Sequence, residues 1–548
     1  MHLAAHYMLL FWLLLVPATL AAQATVYSGR CIDAESGEPI AYASLRIAGS
    51  TTGTLSNATG AFSLPVQHAG QHVAVSCLGY ERQVVTAPDA PGDWVIRLVP
   101  RPYTLGEVFI YPDETTARDM LSAAFRALKT NMPTQGYVLH SFYRHYCRES
   151  GVYGRLIEAA LDIHDQAGHD RLLRSPDQKL GVAVQQVRRS LDFTRFSAQR
   201  HVPIALYTTL IHDPTSYQGP LWLHLKDEAF RYEFTGNTYL DGEVVHIIRA
   251  SGRDRGRHYS ADVYLQARDL AFLRVAEQIS HTTRRGSQRT SRFDHYRFAY
   301  QHLNGRYYLS HALNEGRLIE AQLDSMGHTA WSRDHYHHVE LMVHEVGRAD
   351  PRVRRGNEPG EAALRAVPYT PTFWAAYPIL AATPLEEDIA RDLSSRLPLN
   401  EQFRYSQLDH LPGPVADRLS EIQIERLLAQ YRGQPVLLVF WDANYEPGVK
   451  DLLRIRQLVQ HYGQATLGLV MVSLDADETA WRAAIERRQL AALDHFRLAQ
   501  GVAAPLTRRY GVTGSPYFVL LDGAGQPVLQ GASLPRDKAL IPDSLLRP

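Results

Sequence analysis

The sequence predicts a multidomain chain with three folded parts. A small β-sandwich leads, a large and mostly antiparallel β domain with one helix follows, and an α/β domain closes. Three observations predict this. Short strands with turn punctuation fill residues 23–100, and strand hairpins recur from about Gln135 to Val346. From about Ile422 to Pro548, continuous apolar runs alternate with helical stretches and end in a hairpin. A chain of 548 residues also exceeds what one hydrophobic core supports.

Apolar residues make up 45% of the chain and charged residues 21%, the balance of a globular protein. Lys plus Arg and Asp plus Glu number 57 each, and no run of like charge stands out. This argues against nucleic acid or an anionic membrane surface as the main partner.

The chain begins MHLAAHYMLLFWLLLVPATLAAQA. The apolar run Met8–Leu15, then Pro17 and the small residues Ala18–Ala22, read as a signal peptide over residues 1–22. The run is shorter than the ~20 residues that span a bilayer. The n-region holds His2 and His6 but no Lys or Arg, so an uncleaved anchor is the alternative. The expectation is an exported protein, periplasmic or associated with the outer membrane. Cys31, Cys77 and Cys147 are the three cysteines, too few and of odd number for a disulfide framework. Cys31 and Cys77 either pair or stay as buried thiols.

The first domain, residues 23–100, carries Gly29, Asp33, Gly37-Glu38-Pro39, Gly53, Gly60-Ala61-Phe62 and Leu78-Gly79-Tyr80-Glu81. These glycines read as tight-turn positions that need positive φ. The constellation resembles the carboxypeptidase-regulatory-like domain, frequent at the front of exported Bacteroidetes proteins. That resemblance implies a companion β-sandwich without a zinc site or peptidase activity.

In the second domain, residues 101–350, Ala117, Met120, Leu121, Ala124, Phe125 and Leu128 recur at helical spacing and predict one amphipathic helix. Strand hairpins follow, the first turning at Glu149-Ser150-Gly151. The hairpin over Ala261–Val275 is similar in pattern to the half-barrel sheets of periplasmic lipoprotein carriers. A half-barrel-like sheet would either hold an apolar ligand or pack helices on its apolar face. Residues 351–421 read as linker and short helices, with one helix over about Pro384–Leu393.

The last domain spans residues 422–548. PVLLVFW is continuously apolar, as expected of a strand buried on both faces. Val449, Leu452, Leu453, Ile455, Leu458 and Val459 then follow a helical period. Phe440-Trp441, Ser473-Leu474-Asp475 with Trp481, and Tyr510-Gly511-Val512, Gly514, Pro516 and Leu521-Asp522-Gly523 resemble the thioredoxin-like domain of exported thiol-disulfide oxidoreductases of the TlpA type. That family uses a Cys-x-x-Cys pair at a helix N-terminus, where the thiolate is stabilised. Here Tyr445 and Gly448 stand in those positions with Glu446-Pro447 between them. Tyrosine forms no mixed disulfide. With no cysteine in the domain, the expectation is a redox-dead module. The resemblance implies a cis-proline at Pro516 and a peptide-holding groove formed by Trp441, Tyr445, Glu446, Ser515, Pro516 and Tyr517. The alternative reading is plain scaffold.

HTAWSRDHYHHVELMVHEV is the conspicuous histidine cluster. On a strand, His335 and His337 share one face, and His338, Glu340 and His344 share the other. His335 and His337 are candidate metal ligands without an identifiable third. His145 and Cys147 also share a strand face, as either a Cys/His couple or ordinary packing. No GxSxG, HExxH, GxGxxG or Walker sequence occurs. The sequence thus points to a non-catalytic envelope protein without a cofactor that binds or scaffolds proteins or peptides. Carriage of an apolar ligand in the half-barrel, or an enzyme of unrecognised type, are the alternatives.

Overall fold

The computed structural model describes residues 25–101, 116–149, 151–169, 176–193, 205–215, 219–225, 227–323, 326–356, 358–377, 381, 383–395, 397–408, 411–443, 455, 467–488, 490, 493–498 and 500–533. The signal-peptide segment, Tyr445, Glu446 and all but Ile455 of the helix expected after them lie outside the described residues. Among the described residues no helix is long and apolar enough to cross a membrane. The chain forms two compact units. The first comprises the described part of Met1–Pro102 with Leu240–Gly242 and Pro371–Ala381, and the second holds the remainder.

The first unit is a β-sandwich of β1 (Thr25–Asp33), β2 (Ser44–Ile47), β3 (Gly53–Leu55), β4 (Ala61–Val66), β5 (His72–Ser76), β6 (Gln83–Thr86) and β7 (Trp94–Leu98). One sheet has the order β4-β1-β7 and the other β3-β2-β5-β6. Alternating inward residues such as Tyr27, Leu45, Phe62, Leu64, Val73, Val75 and Ile96 fill the space between them. Gly37, Gly60 and Gly79 take positive φ as expected. Gly29 and Gly53 do not. They sit in strands where a Cβ would lie 2.0 Å from the Trp94 carbonyl oxygen or 2.6 Å from that of Leu45, so close approach is what selects glycine there. Cys31 is a buried free thiol that lies beside Cys77 without a bond to it.

The second unit opens with helix α1 (Ala117–Asn131), held by a reciprocal capping box between Thr116 and Asp119. Ten strands follow: β8 (Tyr137–Glu149), β9 (Val152–Asp165), β10 (Leu180–Arg189), β11 (Arg231–Leu240), β12 (Glu243–Asp254), β13 (Arg257–Gln266), β14 (Phe272–Arg285), β15 (Gln288–Leu303), β16 (Arg306–Leu323) and β17 (Thr329–Arg348). They form one sheet of order β10-β9-β8-β17-β16-β15-β14-β13-β12-β11. The first strand pairs with the last, β8 with β17, and β10 and β11 are left as edges.

Strand alternation gives this sheet two different faces. On one, Tyr143, Asn314, Tyr296 and Glu277 meet the segment carrying helix α2 (Leu206–Leu210). The Tyr143 hydroxyl accepts from the Ala205 N–H (2.9 Å), Asn314 donates to Thr209 (3.2 Å), and His212 stacks on Tyr296 at 3.7 Å. Phe125 of α1 packs at a tilt against Phe272 and edge-on against Trp222 of helix α3 (Pro220–His224). Of the two uses expected for an apolar sheet face, helix packing is what is seen. The other face is covered over β8–β10 by helices α4 (Pro384–Ser394), α5 (Leu399–Tyr405) and α6 (Gly413–Ala429), through Tyr146, Leu156, Ile389, Leu393 and Ile422. Over β14 and β15, Gln278 and Phe293 on this face are exposed.

Helix α6 was not expected. Its apolar residues serve two cores: Ile422 packs toward the ten-stranded sheet, while Ile424 and Leu427 pack toward the C-terminal sheet. A helix buried on two sides has no single apolar stripe, so the periodicity that marks a one-sided helix is weak.

The C-terminal sheet contains β18 (Val436–Trp441), β19 (Gly468–Ser473), β20 (Asp494–Arg497), β21 (Tyr517–Leu521) and β22 (Pro527–Gly531) in the order β20-β19-β18-β21-β22. The first three run parallel, and β21 and β22 are antiparallel additions. β18 is buried throughout because it has a core on each side. Val436, Leu438 and Phe440 join one, and Leu437, Val439 and Trp441 join the other. Helix α7 (Glu478–Arg487), capped by Asp477, packs on the second through Ala484.

Candidate functional site

Two places carry the functional side chains expected from sequence. The first is the end of β18. Trp441 is buried there, with the Arg488 guanidinium over its ring at 5.4 Å and His495 at its edge. The chain leaving Trp441 is held at its stem. The Ala443 N–H donates to the Asp475 carboxylate (2.8 and 3.0 Å), the Ser473 hydroxyl donates to the same carboxylate (2.7 Å), and Arg488 donates to the Ala443 carbonyl (3.0 Å). Trp441 therefore anchors the loop stem rather than presenting a surface. On the neighbouring strand, Tyr517 lies directly opposite Phe440. Sheet register thus brings Ser515, Pro516 and Tyr517 beside Phe440 and Trp441 at the end of β18. The Ser515–Pro516 peptide is cis. The Ser515 hydroxyl is buried and has no hydrogen-bond partner among the described residues.

Family comparisons name two parts of the chain. Residues 433–526 match the Thioredoxin-like family, and residues 27–110 match the CarboxypepD_reg-like domain family. The C-terminal part is a thioredoxin-like domain. Among solved structures, a thiol-disulfide oxidoreductase from Bacteroides fragilis is 24% identical over 18% of this chain and 72% of its own, with a TM-score of 0.17. The thioredoxin domain of a thiol-disulfide oxidoreductase from Bacteroides vulgatus is 23% identical over 19% of this chain and 73% of its own, with a TM-score of 0.18. No curated protein matches the chain. The matched residues 433–526 contain no cysteine: the chain's three lie at 31, 77 and 147.

The second place is β17 and its neighbours. His335 and His337 share a face as expected, yet each is engaged locally. His335 Nε2 lies 3.6 Å from Glu320, and the His337 ring fills the space over Gly316 with Nε2 3.3 Å from Asn314 Oδ1. Burial lowers the His337 pKa to about 4. Glu340 projects to the opposite face, so no cleft gathers these three residues. Among the described residues no three His, Cys, Asp or Glu side chains stand where they would hold a metal ion. His344 lies on the face of His338 and Glu340, as expected. It is the extra residue of a bulge between Val343 and Glu345, and it stacks with His140.

The other face holds a chain of charges that spacing alone did not reveal. His311 donates to Glu340 (2.9 Å), and His338 bridges Glu340 (3.4 Å) and Glu315 (3.2 Å). Glu315 also accepts from the Tyr336 hydroxyl (2.7 Å) and from His295 (3.3 Å). Both His338 nitrogens face carboxylates, so both are donors and the ring is an imidazolium, stacked on Tyr146 at 4.5 Å. These hydrogen bonds outweigh burial and raise the His338 pKa to about 9. Three donors hold Glu315 well below the usual carboxylate range. A carboxylate so satisfied is a poor general base. The signal for this chain was present in the i, i+2 spacing of His338 and Glu340, but its partners come from β15 and β16.

The Cys147/His145 pair resolves by the same reasoning. Arg155 donates to His145 Nδ1 at 3.2 Å, which leaves the proton on Nε2, 3.5 Å from Cys147 Sγ. The imidazole has no lone pair to offer the thiol, and burial pushes that thiol up to about 11.

Proposed function

We propose that this is an exported cell-envelope protein whose thioredoxin-like domain holds an extended segment of a protein or peptide and performs no thiol chemistry. One observation carries the reading. In a domain without cysteine, the buried Ser515 hydroxyl has no hydrogen-bond partner among the described residues and directly precedes the cis-proline beside the end of β18. A polar group so placed costs about 1–3 kcal/mol when unmatched, and a main-chain group of a bound segment would satisfy it. Tyr445, in the sequence position of the family's nucleophile, would supply contact area instead of reactivity.

The test uses a partner that carries no thiol. Fluorescence anisotropy of labelled, reduced and carboxymethylated lactalbumin is measured against the whole chain and against its Tyr445→Ala/Ser515→Ala variant. Binding that weakens about tenfold in the variant supports the groove. Equal binding, or none, assigns the domain to scaffold. Insulin reduction in the presence of dithiothreitol is expected to match the buffer rate.

A further inference from the structure

We infer that the face of the ten-stranded sheet that carries Gln278 and Phe293 is a binding site for an acidic oligosaccharide. A cavity of about 700 Å³ opens on this face over β12–β17. Its side chains come from two adjacent rows of the sheet. Arg253, His258, Ser280, Phe293, Arg317 and Tyr336 form one, and Ser251, Ser260, Gln278, His295 and Glu315 form the next. The lining is therefore mixed polar and basic: its carboxylate Glu315 is taken up by His295, Tyr336 and His338, Arg317 pairs with Asp334, and Phe293 is left 46% exposed in its midst. Such a lining suits a ligand that is polar at its edges and apolar on one ring face.

Charge gives the second half of the inference. Arg253 faces His258 directly across β12 and β13, and Arg284 faces Arg289 directly across β14 and β15. Like charges in directly opposed positions, as in the arginine pair, destabilise a sheet. Among the described residues none of the four meets a carboxylate. Arg284 donates to the Gly286 carbonyl and Arg289 to the Thr329 hydroxyl, both uncharged. By strand alternation, Arg284 and Arg289 stand on the same face as the cavity, four residues further along β14 from Ser280. At 3.3–3.4 Å per residue this is about 13 Å. A single small anion in the cavity would not reach them, whereas a short chain with repeated charge would meet both basic pairs. The main-chain groups here are spent on ladder hydrogen bonds, so an acidic peptide gains no strand pairing on a sheet face. A glycan's hydroxyls find Ser251, Ser260, Ser280 and Gln278 instead, and a sugar ring packs on Phe293.

The test is calorimetric titration of the whole chain with trigalacturonate and with a heparin-derived tetrasaccharide. Its comparisons are fully methyl-esterified trigalacturonate, hexaglutamate and a hexathymidylate. Either acidic saccharide is expected to bind, more weakly as salt rises. The neutral ester should bind at least tenfold more weakly than its acid. Arg284→Gln/Arg289→Gln should cost tenfold or more, and Phe293→Ala several-fold. The double arginine variant should melt no lower than the parent without ligand, because a like-charge pair has been removed, which separates lost binding from lost folding. Failure of both acidic saccharides to bind, equal affinity in the arginine variant, or equally tight binding of hexaglutamate or hexathymidylate would overturn the inference.

Discussion

Arg333 joins two folds. Its guanidinium pairs with Glu320 on the neighbouring strand of the ten-stranded sheet (2.8 Å) and with Asp494 of the thioredoxin-like domain (2.7 Å). The Tyr431 hydroxyl donates to the same Asp494 carboxylate. The Arg333 side chain is 26% exposed, so the pairing is neither a rim contact nor fully dry.

A double-mutant cycle measures this bridge. Arg333→Ala is expected to cost about 1–2 kcal/mol in urea unfolding, between the values typical of exposed and buried pairs. Combined with Asp494→Asn, it should show a coupling energy near 1 kcal/mol. Strict additivity would mean that the two domains touch here without holding each other.

His338 gives the protein a specific alkaline limit. Its pKa stands at about 9, above the ordinary 6.5, so its contribution is complete below pH 6.5 and fades as pH rises toward 9. Glu315 and Glu340 are depressed, so theirs is complete above about pH 4.5 and fades as pH falls further. Buried His337 and His344, both lowered to about 4, add to the acid loss because they must charge on unfolding between pH 6.5 and 4. His338→Gln should lower stability by roughly 2–3 kcal/mol at pH 6.5 and by progressively less toward pH 9. Parallel urea midpoints for parent and variant across that range would refute the imidazolium.

Glu386 has two duties at the start of α4. One carboxylate oxygen closes the capping box with Thr383, and the other lies 3.3 Å from buried Arg144, which also pairs with Glu158 at 2.9 Å. Thr383→Ala should cost about 1 kcal/mol, the value of a cap. Glu386→Ala should cost about 2–3 kcal/mol, since Arg144 then keeps one carboxylate fewer in a buried site. Equal losses in chemical denaturation would show that the ion pair adds nothing.

Thiol labelling should separate the buried cysteines from the solvent. Burial, with a smaller contribution from Cys77, pushes Cys31 up to about 12; burial pushes Cys147 up to about 11. The thiolate is the reactive species, so both should resist Ellman's reagent at pH 8 in the native protein and react at once in guanidinium chloride. Rapid native labelling at position 31 or 147, read by mass spectrometry, would contradict the packing described.

The sequence by itself determined the succession of folds. Period-two alternation marked the hairpins, period-3.6 spacing marked α1 and α4, and the fully apolar PVLLVFW marked a strand with a core on each side. It also determined that residues 422–548 contain no cysteine. Alternation assigns a residue to a face of its strand but says nothing about which strand lies beside it. The His311–Glu340–His338–Glu315 chain and the Arg333 bridge join segments 13 to 161 residues apart, and the Arg284–Arg289 pair joins the cavity only by sharing its sheet face. The charge balance of 57 against 57 hid the last of these. A whole-chain sum carries no position, and only folding gathers the arginines of separate hairpins onto one sheet face.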